Sequence, residues 1–134
     1  MQTVNSLLGR IGLSALFIVS GLGKLAAYAG TEQYMAAAGV PGFLLPWVVL
    51  IEVGGGLFIL AGAFTRATAV VLALFTLTAG ILFHANLADQ NQFIHLLKNI
   101  AIAGGFLTLA AHGAGPLSVD ALRRKRAIGA AALV

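Results

Sequence analysis

Six polar side chains stand out in a chain made mostly of hydrocarbon: Lys24, Glu52, His84, His95, Lys98 and Asn99. They supply a carboxylate, two ammonium groups, two imidazoles and an amide. Such a set can hold an ion pair, exchange a proton, and stabilise negative charge on a bound carbonyl or anion. Their surroundings make them informative. Glu52 lies in WVVLIEVGGGLFILAG, residues 47–62, where every other residue is apolar or small. A lone charge at the centre of a bilayer costs from about 2.5 kcal/mol upward. This carboxylate therefore needs a cationic partner or a proton.

The elements that must position these groups follow from hydropathy. The chain has 134 residues, 60% hydrophobic and 9% charged, with a mean hydropathy of +0.99. Soluble domains are nearer a quarter charged. A spanning helix needs about 20 mostly apolar residues, and four such runs fill most of the chain, roughly 7–27, 46–63, 67–88 and 93–111. The expected fold is all-α: a single integral membrane domain over 1–134, built as a four-helix bundle. Between the first two spans, TEQYMAAAG is too short to cross. Thr31 as a cap, Gly39 at the end and Pro41 beyond it predict a brief interfacial helix, with Tyr34 and Met35 facing lipid or protein. Gly62 closes the second span, and Phe64-Thr65-Arg66 forms a tight link with Thr65 as the cap of the third. GAGP at 113–116 stops the fourth. Ser118 caps a basic tail within 117–134. Arg10, the apolar run to Val19 and Ala27-Tyr28-Ala29 imitate a signal peptide. Lys24 interrupts that pattern, so the first helix is expected to be retained.

Depth brings the polar groups together. At 1.5 Å per residue Glu52 is about 9 Å in from the start of its span. Lys24, His84, His95, Lys98 and Asn99 fall in the same half of the membrane, and the set draws on all four helices. Faces agree as well: Arg10, Ser14, Phe17, Gly21 and Lys24 recur at steps of four and three. Glu52 shares a stripe with Gly55, Gly56 and Ile59; His84 with Gly80, Thr76 and Ala73; Lys98 with Ile102 and Gly105. Small residues on these stripes allow close helix approach in lipid. The polar faces are expected to pack inward around a pocket. One carboxylate facing two lysines leaves surplus positive charge, which favours an electron-rich guest: a quinone carbonyl, a small oxyanion or a lipid phosphate. In that pocket Glu52 and His84 would be the proton-handling, catalytic groups. Lys24, Lys98, Asn99 and His95 would bind the ligand.

Blander readings apply to single residues. Lysines near helix ends commonly snorkel to the surface, and each lysine alone reads as structural. Arg10 and Arg66 read as positively charged membrane anchors, His112 as an interfacial residue, and Gly54-Gly55-Gly56 as close packing. The histidine spacing matches no metal signature, so no metal is expected. Without cysteine, thiol and iron–sulfur chemistry are excluded. The net charge of +4 does not imply nucleic acid, because the block Arg123-Arg124-Lys125-Arg126 has no groove-reading element beside it. That block, with Arg10 and Arg66, predicts that both termini are cytoplasmic. The expected setting is a multi-pass protein of a cytoplasmic (inner) membrane.

The motifs in their order resemble the DoxX family of small four-helix membrane proteins, over about residues 7–120. The resemblance is carried by LLGRIGLSALFIVSGLGKL with Arg10 and Lys24, GTEQYMAAAGVP, and IEVGGGLFILAGAFTRATAV with Glu52 and Arg66. His84, LLKNIAIAGGF with Lys98-Asn99, and GAGPLSVD complete it. It implies an inner-membrane protein associated with redox complexes, some relatives linking sulfur-compound oxidation to quinone. It also raises the expectation that Lys24, Glu52, His84, Lys98 and Asn99 form one site. The function so predicted is a quinone- or small-anion-binding subunit serving a redox partner, quinone being the candidate cofactor. The alternatives are a non-catalytic assembly protein and a conduit for protons or a small solute. The many small residues on helix faces also allow a homo-oligomer.

Overall fold

The computed structural model describes residues 2–132, and among them there are helices and no strand. Four helices are long and apolar enough to cross a membrane: Gln2–Ala26, Gly42–Ala61, Thr65–His84 and Gln90–His112. A surface helix, Tyr28–Ala37, follows the first, and a tail helix, Val119–Ala131, follows the fourth. The architecture is the expected four-helix membrane bundle. The first span packs chiefly on the second and the third on the fourth, while the fourth touches the first at few points. The core is one layer shared by all four spans: Phe17, Ile59, Leu72, Ala73, Ala103 and Phe106. Phe17 meets Phe106 edge to face at 5.3 Å, a favoured arrangement of ring quadrupoles. Outer faces carry Leu8, Val19, Leu74 and Ile81, all exposed, which lipid tails solvate without penalty.

Element ends differ from the hydropathy boundaries because caps decide them. The fourth span begins at Gln90, ahead of its apolar run, because the Asp89 carboxylate accepts from the Asn91 and Gln92 amides at 2.8 and 3.1 Å. The third ends at His84, where Asn86 takes the Ala88 amide in a turn. The second ends at Gly62 in the left-handed conformation, φ 66°. Thr31 is not a cap: the surface helix already starts at Tyr28, and the Thr31 hydroxyl donates back to the Ala27 carbonyl. Met35 is buried against Leu45 and Val49, and Tyr34 stacks on Phe83 at 5.2 Å, which pins that helix over the second and third spans. Thr65 is not a cap either. Phe64 turns at φ 48°, and the amides of Phe64 and Thr65 are taken by Asp120 from the tail. Ser118 does cap the tail helix, accepting from the Ala121 amide at 3.2 Å.

Candidate functional site

Glu52 sits in a π-helical turn, Leu50–Gly54, within the second span. Such turns are rare and recur at functional sites. The carboxylate is 5% exposed and is neutralised across the helix interface. Lys24 Nζ donates to Glu52 Oε1 and Oε2 at 2.9 and 2.8 Å and to Ser20 Oγ at 2.7 Å. The Ser20 hydroxyl donates to Oε1 at 3.3 Å. The approach that permits this is glycine-dependent. A Cβ on Gly21 would lie 2.6 Å from Val53 Cγ2, and one on Gly56 would lie 2.8 Å from Ile18 Cγ1.

Beside the pair lies a cleft of about 350 Å³, within the range of small-ligand sites. Glu52 and Ser20 form one wall, Phe75, Thr76 and Ala79 the floor, and His95, Lys98 and Asn99 the facing wall. The cleft falls where the fourth span stands away from the first. Lys98 makes no ion pair or hydrogen bond among the described residues. Asn99 packs on Gly80, where a Cβ would come within 3.0 Å of its amide nitrogen. His84 is outside the cleft wall. Its ring stacks on His95 at 4.9 Å, and its Nδ1 donates to the Gln92 amide oxygen at 2.6 Å. Four of the six chemistry-bearing side chains, Glu52, His95, Lys98 and Asn99, thus line one cleft, with His84 one layer behind His95. Lys24 is spent on Glu52 and does not line the cleft.

The opposite end of the bundle holds the other cations. Arg10 is only 1% exposed and is no surface anchor. Its Nη2 donates to the Leu117 carbonyl, and its Nη1 lies over Gly62, where any Cβ would collide with it. Nε and Nη1 have no partner among the described residues. The segment 114–120 docks through further bonds: the Ser6 hydroxyl to the Ala114 carbonyl at 3.0 Å, the Asp120 amide to the Gly62 carbonyl at 2.9 Å, and the Phe64 and Thr65 amides to the Asp120 carboxylate at 2.8 and 2.9 Å. Burial alone would raise the Asp120 carboxyl. The Thr65 and Phe64 amides and the Arg123 charge outweigh it and hold the group below its ordinary value.

The DoxX family model matches residues 6–85. The chain belongs to the DoxX family. It is similar to the Escherichia coli "Inner membrane protein YqjF", 50% identical over 126 residues that cover 94% of this chain and 97% of that one. It is 36% identical to the E. coli "Inner membrane protein YphA", covering 85% and 86% of the two chains. It is 34% identical to the Bacillus subtilis "Putative oxidoreductase CatD", covering 79% and 84%. No solved structure matches. Its four helices are long and apolar enough to cross a membrane, and its two E. coli relatives are named inner-membrane proteins.

In this DoxX protein the family match spans Arg10, Lys24, Glu52, Arg66 and His84, while the wall bearing His95, Lys98 and Asn99 lies on the helix beyond it. Sequence reasoning missed the roles of Arg10 and Asp120. The signal for Arg10 was present: it shares the buried stripe of Ser14, Phe17 and Gly21. Asp120 carries no local signal, because its partners lie 55 and 56 residues away.

Proposed function

We propose that the cleft binds a small electron-rich molecule, a quinone-like carbonyl compound or a small anion, and that the protein serves a membrane redox partner which supplies the electrons. One observation carries this reading. Glu52 is already neutralised by Lys24, so Lys98 is left as uncompensated positive charge on a cavity wall, with the Asn99 amide beside it. A preorganised cation and amide lower the energy of negative charge developing on a carbonyl oxygen. Ser20 and Glu52 on the opposite wall orient the other end of the guest, and Glu52 exchanges a proton with it. Lys24 holds the carboxylate in place. His95 hydrogen-bonds the guest, and His84, held by Gln92, packs on that ring and fixes it. The name of the B. subtilis relative agrees with a redox setting.

The experiment is to purify the protein in mild detergent, extract and quantify quinone, and compare Glu52→Gln and Lys98→Met. Retention in the parent and loss in both variants supports the reading. Absence of quinone and of any bound anion from the parent, with unchanged quinone-linked respiration in Glu52→Gln cells, defeats it. An assembly role makes a different demand: Lys24→Met with Glu52→Gln would then keep phenotype as long as the bundle folds. The conduit reading finds no support, since the apolar layer of Phe17, Ile59, Leu72 and Phe106 separates the cleft from the basic end. The positive end, with Arg10, Arg66 and the tail block, is assigned to the cytoplasm, and both termini with it.

A further inference from the structure

The basic end holds a second cavity, of about 570 Å³, between the start of the third span and the end of the fourth. Thr65 and Arg66 come from one side, His112 and Gly113 from the other, and Asp120 and Arg124 from the tail helix. Its depth is fixed by its lining. Thr65 is the first residue of one span and His112 the last of another, so the cavity lies at the level of lipid headgroups. Its cations are unspent: among the described residues neither Arg66 nor Arg124 makes an ion pair or hydrogen bond with protein. Arg66 Nε reaches across to within 3.7 Å of where a Cβ on Gly113 would lie, which places its guanidinium between the two spans. Asp120, the carboxylate in the wall, is committed to the Phe64 and Thr65 amides. His112 donates from Nδ1 to the Thr108 carbonyl at 2.9 Å, leaving Nε2 available.

We propose that this cavity binds the phosphate of an anionic phospholipid in the adjacent leaflet, with Arg66 and Arg124 as its two clamps. Guanidinium groups match phosphate oxygens in bidentate geometry. The Asp120 carboxylate already takes the Phe64 and Thr65 amides at the start of the third span, so the clamp is made by side chains. The tail favours a lipid over a free ion. Leu122 and Ile128 are 57% and 64% exposed on the helix that carries Arg123, Arg124, Lys125 and Arg126. A basic helix with exposed aliphatic side chains lies on an anionic surface, and lying there seats Arg124 over the cavity. This site is independent of the cleft at the other end.

The test is native mass spectrometry of the full-length protein released from mixed phosphatidylglycerol and phosphatidylcholine. Phosphatidylglycerol should be retained about thirtyfold over phosphatidylcholine, the scale expected of two basic side chains at a lipid surface. Arg66→Gln with Arg124→Gln should abolish that preference. Arg124→Gln alone, at a side chain with no ion pair or hydrogen bond to protein among the described residues, should lower it several-fold, and Arg126→Gln, outside the cavity, should leave it unchanged. No preference in the parent, or the same preference in the Arg124→Gln and double variants, overturns the proposal. A second arm uses millimolar inorganic phosphate on protein in phosphatidylcholine discs. Thermal protection that matches phosphatidylglycerol and needs Arg66 and Arg124 would identify a soluble phosphate as the ligand and overturn the lipid assignment.

Discussion

Lys24 Nζ lies 2.9 and 2.8 Å from the two carboxylate oxygens of Glu52, a two-pronged contact that ties the first span to the second inside the apolar layer of the bundle. The pair is unequal. Glu52 is almost wholly enclosed, whereas the Lys24 side chain is 28% exposed. Loss of the lysine therefore strands a buried carboxylate, while loss of the carboxylate leaves an ammonium group that can turn outward. Breaking an enclosed pair on one side costs about 3–5 kcal/mol in soluble proteins.

Lys24→Met is accordingly expected to lower the unfolding temperature more than Glu52→Gln, and the double variant to recover most of the loss. A double-mutant cycle on purified protein, followed by thermal unfolding, measures this coupling. Strict additivity would show that the contact is energetically idle.

Glycine positions separate packing from site chemistry. Gly56→Ala should destabilise the bundle by about 1–3 kcal/mol, because the new methyl meets Ile18 Cγ1 at 2.8 Å and the Ser14 carbonyl at 3.2 Å. Gly12→Ala, with nothing within 4 Å, should be neutral or slightly stabilising. Gly80→Ala acts on the site instead. Its methyl comes within 3.0 Å of Asn99 Cβ and Nδ2, so ligand affinity should fall more than stability. Unfolding and binding curves for the three variants distinguish these outcomes.

The four spans and their inward stripes were legible because hydropathy marks length and the steps of three and four mark faces. The division of labour between the lysines was not. Depth places Lys24 and Lys98 equally well for Glu52. The choice is made by Gly21 and Gly56, which let the first span approach the second closely enough for Lys24 to reach the carboxylate. Charge-counting rules score position along the chain and ignore the face, so they mark the buried Arg10 as a surface anchor. The π turn at Leu50–Gly54 has no sequence signal that we can identify. Thr65 stands where a cap of the third span would, yet a carboxylate 55 residues away does that work.

The Asp120 clasp sets a pH dependence. Its folded-state pKa lies below the ordinary carboxylate value, which is about 3.9. The stabilisation it supplies is therefore complete above that ordinary value and is lost as pH falls through the lower folded one. Hydrogen exchange at the Phe64 and Thr65 amides should stay slow at neutral and mildly acidic pH, and quicken relative to the core below the carboxylate range. Asp120→Asn should show fast exchange at those amides at every pH.

The orientation assigned to the basic end has a direct readout. A fluorescent-protein fusion after residue 134 should be bright and an alkaline phosphatase fusion there inactive. The reverse pattern would place the cleft in the cytoplasmic leaflet.

The central claim is that the cleft between Glu52 and Lys98 is a binding site. Its most direct test is equilibrium binding of decylubiquinone, with sulfate as the anionic probe, to the purified protein in neutral nanodiscs, beside empty discs and the Lys98→Met variant. The account expects saturable binding of at least one probe to the parent, weakened about tenfold or more in Lys98→Met, the scale of a lost hydrogen bond to a charged group. Partition indistinguishable from empty discs for both probes, or saturable binding indifferent to Lys98, would contradict it.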